Sequence, residues 1–94
     1  MKAIADALVY AVTYINLRGG ENEAYADDDV GALESIAGML HSATAEEEDA
    51  LAAAAERALA DEMHHTSREE FIRHYQTWME DMFGEGWVGN QRVE

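Results

Sequence analysis

Residues 44–84 read TAEEEDALAAAAERALADEMHHTSREEFIRHYQTWMEDMFG, and the spacing within this stretch decides the fold class. Thr44 and Glu47 stand three apart just before Leu51, Ala54, Ala55, Ala58 and Leu59. That is the capping-box arrangement, in which a hydroxyl and a carboxylate each satisfy a backbone N–H left open where a helix begins. Ser67 and Glu70 repeat the spacing, so the pattern divides near His65 and Thr66 into one helix over 45–64 and another over 68–83. The later helix carries Phe71, Tyr75, Trp78, Met79 and Met82 on one stripe and is closed by Gly84. The earlier one is filled with alanine, which favours helix strongly and buries little area.

Two more helices precede this pair. Residues 2–18 place Ile4, Leu8, Ala11, Val12 and Ile15 on one face, and Tyr10, Tyr14 and Leu17 widen it until the helix is apolar nearly all round. Such a helix belongs at the centre of a bundle or in an interface. Arg18 followed by Gly19 and Gly20 predicts its end, a polar loop covers 21–26, and the Asp27, Asp28, Asp29 run opens a helix over 28–41 with Val30, Leu33, Ala37 and Leu40 at helical spacing. The tail 84–94 reads as loop, with Trp87 and Val88 folding back on the helices. The expected fold is all-α, a small four-helix bundle formed by a single domain of 94 residues.

Twenty acidic residues against six basic ones give a net charge of -14. A surface of that sign repels nucleic-acid phosphates and anionic membrane faces, so the expected partner is a basic protein. A hydrophobic fraction of 48% excludes a disordered chain, and the absence of cysteine removes disulfides and thiolate chemistry. Asp6 and Asn16 interrupt the apolar N-terminal stretch, which argues against a processed signal and makes the cytoplasm the expected location.

Helix starts account for many of the acids, because carboxylates there offset the helix dipole. Asp61, Glu62, Glu80 and Asp81 fall instead near the C-terminal ends of the expected helices, where negative charge is unfavourable. An up-down arrangement would gather Lys2, Asp6, Glu46–Asp49, Glu80, Asp81 and Glu85 at one acidic end, gather Arg18, Glu21, Glu23, Asp27–Asp29, Asp61, Glu62, Arg68, Glu69 and Glu70 at the other, and leave a neutral waist of Glu34, Glu56, Arg57 and Arg73. The expected partner surface therefore comprises Asp61, Glu62, Glu69, Glu70, Glu80 and Asp81 for steering, with Tyr10, Tyr14 and Trp87 as aromatic anchors.

Two other readings accompany this one. Glu62 and His65 have the Glu-x-x-His spacing of carboxylate-bridged metal sites, and Glu69 could complete a simpler site, although a second Glu-x-x-His is absent. The apolar first helix could pair with a second copy of the chain. No nucleophile elbow, phosphate-cradling glycine loop or cofactor motif occurs, so neither catalysis nor a cofactor is expected.

Overall fold

The computed structural model describes residues 1–21, 23–84 and 87, with the side chains of residues 18–29 outside that description. The fold is all-α, with helices α1 (Lys2–Glu21), α2 (Glu23–Leu40), α3 (Ala45–His65), α4 (Glu69–Gln76) and α5 (Trp78–Phe83), and no strand among the described residues.

The capping box forms at α3, where Glu47 N–H donates to Thr44 Oγ1 at 3.1 Å and Thr44 N–H donates to Glu47 Oε1 at 2.8 Å. Three other boundaries differ from expectation. Helix α1 continues through Gly19 and Gly20 to Glu21, and α2 already begins at Glu23, so the expected loop is helical at every residue but 22, which lies outside the described residues, and Asp27–Asp29 lie inside α2. Glycine weakens a helix by about 1 kcal/mol relative to alanine, and that penalty permits a stop without enforcing one. The expected 68–83 helix is two, broken at Thr77, whose φ of -108° and ψ of 10° leave the helical region. Its hydroxyl donates to Asp81 Oδ2 at 2.9 Å, offering the chain a local alternative to the helical ladder. The Ser67–Glu70 box does not form. Arg68 is the residue that precedes α4, and Ser67 takes a φ of 52° with its hydroxyl donating to the Met63 carbonyl at 3.0 Å.

The core joins Ala5, Val9 and Val12 of α1 to Leu51, Ala54 and Ala55 of α3 and to Phe71, Tyr75, Trp78, Met79 and Met82 of α4 and α5. All five residues of the later stripe are buried, while α3 contributes mainly alanines, which allow close helix approach. The inward face of α1 is rotated from the expected one. Ile4 is 72% exposed and Ala11 is exposed, whereas Ala5, Val9, Val12 and Thr13 are buried. A helix apolar on every side carries no periodic preference, so its rotation follows the fit of small and β-branched residues against Ala54 and Ala55. Helix α2 is only half-covered, with Leu33, Ile36, Ala37 and Leu40 packed against the core and Val30 turned largely outward.

Helices α1 and α3 lie side by side and run in the same direction. Met1, Ile4 and Ala5 share a cleft with Leu51, Asp6 pairs with Arg57, and Tyr10 shares a groove with Asp61 and Glu62. Helix α4 returns along α3, and α5 turns away at Thr77 so that Asp81 and Met82 meet Val30, Leu33 and Ala37 of α2. Among the described residues the expected separation into two acidic ends and a neutral waist therefore fails, while the side chains of Asp27–Asp29, expected at one end, lie outside them. Asp6 is joined to Arg57, Lys2 lines the same groove as Asp61 and Glu62, and Asp81 stands beside Glu34.

Candidate functional site

Two surfaces concentrate the expected site residues. The first is a groove of about 490 Å³ between α1, α3 and α4, lined by Tyr10, Tyr75 and the charged side chains of Lys2, Asp6, Arg57, Asp61, Glu62 and Arg68. Three of the six basic residues in the chain are here, and two are already engaged. Arg57 donates through Nε and Nη2 to Asp6 Oδ1, at 3.1 and 2.6 Å, tying α3 to α1. Arg68 donates from Nε to Glu62 Oε2 and from Nη2 to Glu62 Oε1, both at 2.9 Å, a two-pronged pairing that holds the turn from α3 to α4.

Glu62 is the centre of that turn. It is buried at 5% exposure, and besides the guanidinium it accepts from the Arg68 backbone N–H at 2.9 Å and from the Thr66 hydroxyl. The Arg68 side-chain bonds, opposed by burial and assisted by the Thr66 hydroxyl, hold the Glu62 carboxyl down at about 2. Reciprocally, Glu62 raises the Arg68 guanidinium above its ordinary value. Burial first, and the Glu62 charge second, push the neighbouring Tyr75 phenol up. Arg68 also lies 3.6 Å above the Phe71 ring, which stands 6.2 Å from Tyr14, itself 5.8 Å from Tyr10.

These contacts change the meaning of the four carboxylates that lacked a local reason. Glu62 is consumed by Arg68 and offers no free charge to a partner, and Asp61 pairs with His65 at 3.0 Å. Because of the break at Thr77, Glu80 and Asp81 fall in the first turn of α5, where negative charge is favourable. The metal reading finds no matching geometry. His65 Nδ1 faces Asp61, Glu62 faces Arg68, and among the described residues no group of three or more histidine and carboxylate side chains could hold an ion.

The second surface is the outer side of α3 with α5. Glu46, Asp49 and Glu56 follow one another along the exposed stripe of α3, and Glu80 joins Glu56 on the rim of a shallow groove floored by Ala52, Ala55, Leu59 and Met79. Trp87 lines the same groove, with its indole N–H donating to Glu48 Oε1 at 2.9 Å and its ring 6.4 Å from Phe83. The expected return of the tail thus holds for Trp87, while Val88 lies outside the described residues. None of Glu46, Asp49, Glu56 and Glu80 has an ion-pair partner among the described residues, and Glu69 and Glu70 at the start of α4 are likewise exposed and unpaired. The α3 stripe was readable from its spacing of three and seven residues. The role of Arg68 was not, because nothing local links it to Glu62 across the turn.

Compared with known proteins, the chain matches no family model, no curated protein and no solved structure. No described helix is long and apolar enough to cross a membrane.

Proposed function

We propose that this chain is a non-catalytic binding module that presents the outer carboxylates of α3 and α5 to a basic protein partner. One observation carries the reading: the arginines at 57 and 68 are spent on Asp6 and Glu62, while Glu46, Asp49, Glu56 and Glu80 are exposed and have no ion-pair partner among the described residues. The field outside that face is therefore uncompensated and steers cations toward it. Trp87, over an apolar floor of Ala52, Ala55 and Met79, supplies the aromatic anchor that charge alone lacks. Glu69 and Glu70 extend the attraction to the start of α4, whereas Glu62 acts only through the fold.

Affinity capture with the full chain, followed by mass spectrometry, tests the reading when repeated with Glu46→Gln, Asp49→Asn, Glu56→Gln and Glu80→Gln combined. The native chain should retain strongly basic proteins that about 0.3 M salt releases, since exposed charge pairs are screened within about a nanometre, and the fourfold variant should retain none of them. Retention that survives both the salt and the variant would overturn it.

A further inference from the structure

Among the described residues seven large hydrophobic side chains are exposed, and five of them gather on one side of the molecule. Met1, Ile4, Tyr10 and Tyr14, at 63%, 72%, 52% and 51% exposure, belong to the start and outer face of α1, and Met39 of α2, at 73%, flanks Ile4 across the cleft they share. The exposed alanines Ala3, Ala7 and Ala11 complete the face. At 100° per residue Ala3, Ile4, Ala7, Tyr10, Ala11 and Tyr14 occupy a sector about 120° wide centred on Ala7, opposite the buried Ala5, Val9 and Val12. No charged residue falls among Ala3, Ile4, Ala7, Tyr10, Ala11 and Tyr14, in a chain that is 28% charged. Apolar surface gathered into one face marks a contact site more often than the same residues scattered singly.

We propose that this face pairs with the same face of a second copy, α1 against α1 and antiparallel, with Ala7 at the two-fold axis. An isologous contact must be complementary to itself, and this one is. With Ala7 facing Ala7, Ile4 lies level with Tyr10 of the second copy and Ala3 with Ala11; because Ile4 and Ala11 fall on one side of the Ala7 line and Ala3 and Tyr10 on the other, each large side chain meets a small one about 1.5 Å from its own level. Charge selects the antiparallel sense. Lys2 has no ion-pair partner within the chain among the described residues, and Tyr14 at the other end of the face touches Phe71, one residue after the exposed pair Glu69 and Glu70. Antiparallel pairing sets the Lys2 end of each copy against the Glu69 and Glu70 end of the other, whereas parallel pairing would set like charges together. The α3 and α5 carboxylates of the basic-partner site stand on other helices and stay uncovered, so the two contacts share only Glu69 and Glu70 at the start of α4.

The chain has no cysteine, which permits a direct test of the register. Sedimentation equilibrium should give twice the chain mass of 10.4 kDa at high micromolar concentration. Treated with a short bifunctional maleimide, Ala7→Cys should cross-link to itself, and an equal mixture of Ala3→Cys and Ala11→Cys should give chiefly mixed dimers. Ala7→Glu should sediment as a monomer with unchanged helical circular dichroism. A monomer at every concentration, cross-linking of Ala3→Cys and Ala11→Cys each chiefly with itself, or an Ala7→Glu variant that dimerises like the native chain would each overturn the proposal. The cysteine series decides the matter even where Ala7→Glu disturbs folding.

Discussion

Glu62 shows how much a single buried carboxylate decides. Its pairing with Arg68, Thr66 and the Arg68 N–H closes the turn between α3 and α4. The Ser67–Glu70 box does not form beside it, since the Ser67 N–H donates to the Glu62 carbonyl and the Ser67 hydroxyl to the Met63 carbonyl. The native carboxyl near 2 lies below its ordinary 4.5, so its contribution to stability is complete above pH 4.5 and is lost as pH falls from there toward 2. Glu62→Gln keeps the shape and removes the charge, and it should reduce stability by about 2 kcal/mol at pH 7, a value discounted because Arg68 is half-exposed. Urea unfolding at pH 7, 4 and 3 checks this: the native chain and the variant should converge as the pH drops. A gap that stays constant from pH 7 to pH 3 would show that ionisation of Glu62 is not its source. The sequence marked Glu62 as anomalous and was correct in that. It pointed outward to a partner or a metal because the answering Arg68 is reached only after the chain turns.

At the scale of the element, local chemistry was legible and relative orientation was not. The Thr44–Glu47 box formed because both partners lie within one turn of each other. The break at Thr77 was missed because Phe71, Tyr75, Trp78, Met79 and Met82 keep a helical rhythm across it, so the apolar pattern gives no sign of the interruption. Over residues 30–40 helix α2 is half-covered and carries Gly31 and Gly38 at exposed interior positions. A methyl group added at either would meet nothing within 4 Å. Gly31→Ala and Gly38→Ala should therefore each raise stability by about 0.5 to 1 kcal/mol through helix propensity and a less flexible unfolded chain. Shifted urea midpoints at constant m-value would bear this out, and a loss of stability would mean that α2 needs its glycines for a contact.

For the whole molecule, the charge of -14 acts in three ways that salt separates. Self-repulsion opposes the compact state, so raising ionic strength from about 0.02 to 0.5 M should increase the thermal midpoint by several degrees. The same screening should strengthen a contact between two acidic copies through their uncharged α1 faces and weaken capture of a basic partner by α3 and α5. Thermal scans, sedimentation and capture across one salt series would read all three. A midpoint that falls with salt would mean that the Arg57–Asp6 and Arg68–Glu62 pairs outweigh the net repulsion.

Helicity, the start of α3, the buried aromatic and methionine stripe and the sign of the surface follow from the sequence alone, because each depends on neighbours within one or two turns or on a plain sum of charges. Which way α1 turns, where the long C-terminal pattern breaks and which carboxylates remain free were settled only by tertiary structure. Those outcomes depend on residues far apart in the chain or across a turn, such as Asp6 with Arg57 and Glu62 with Arg68, whose proximity exists only once the helices have packed.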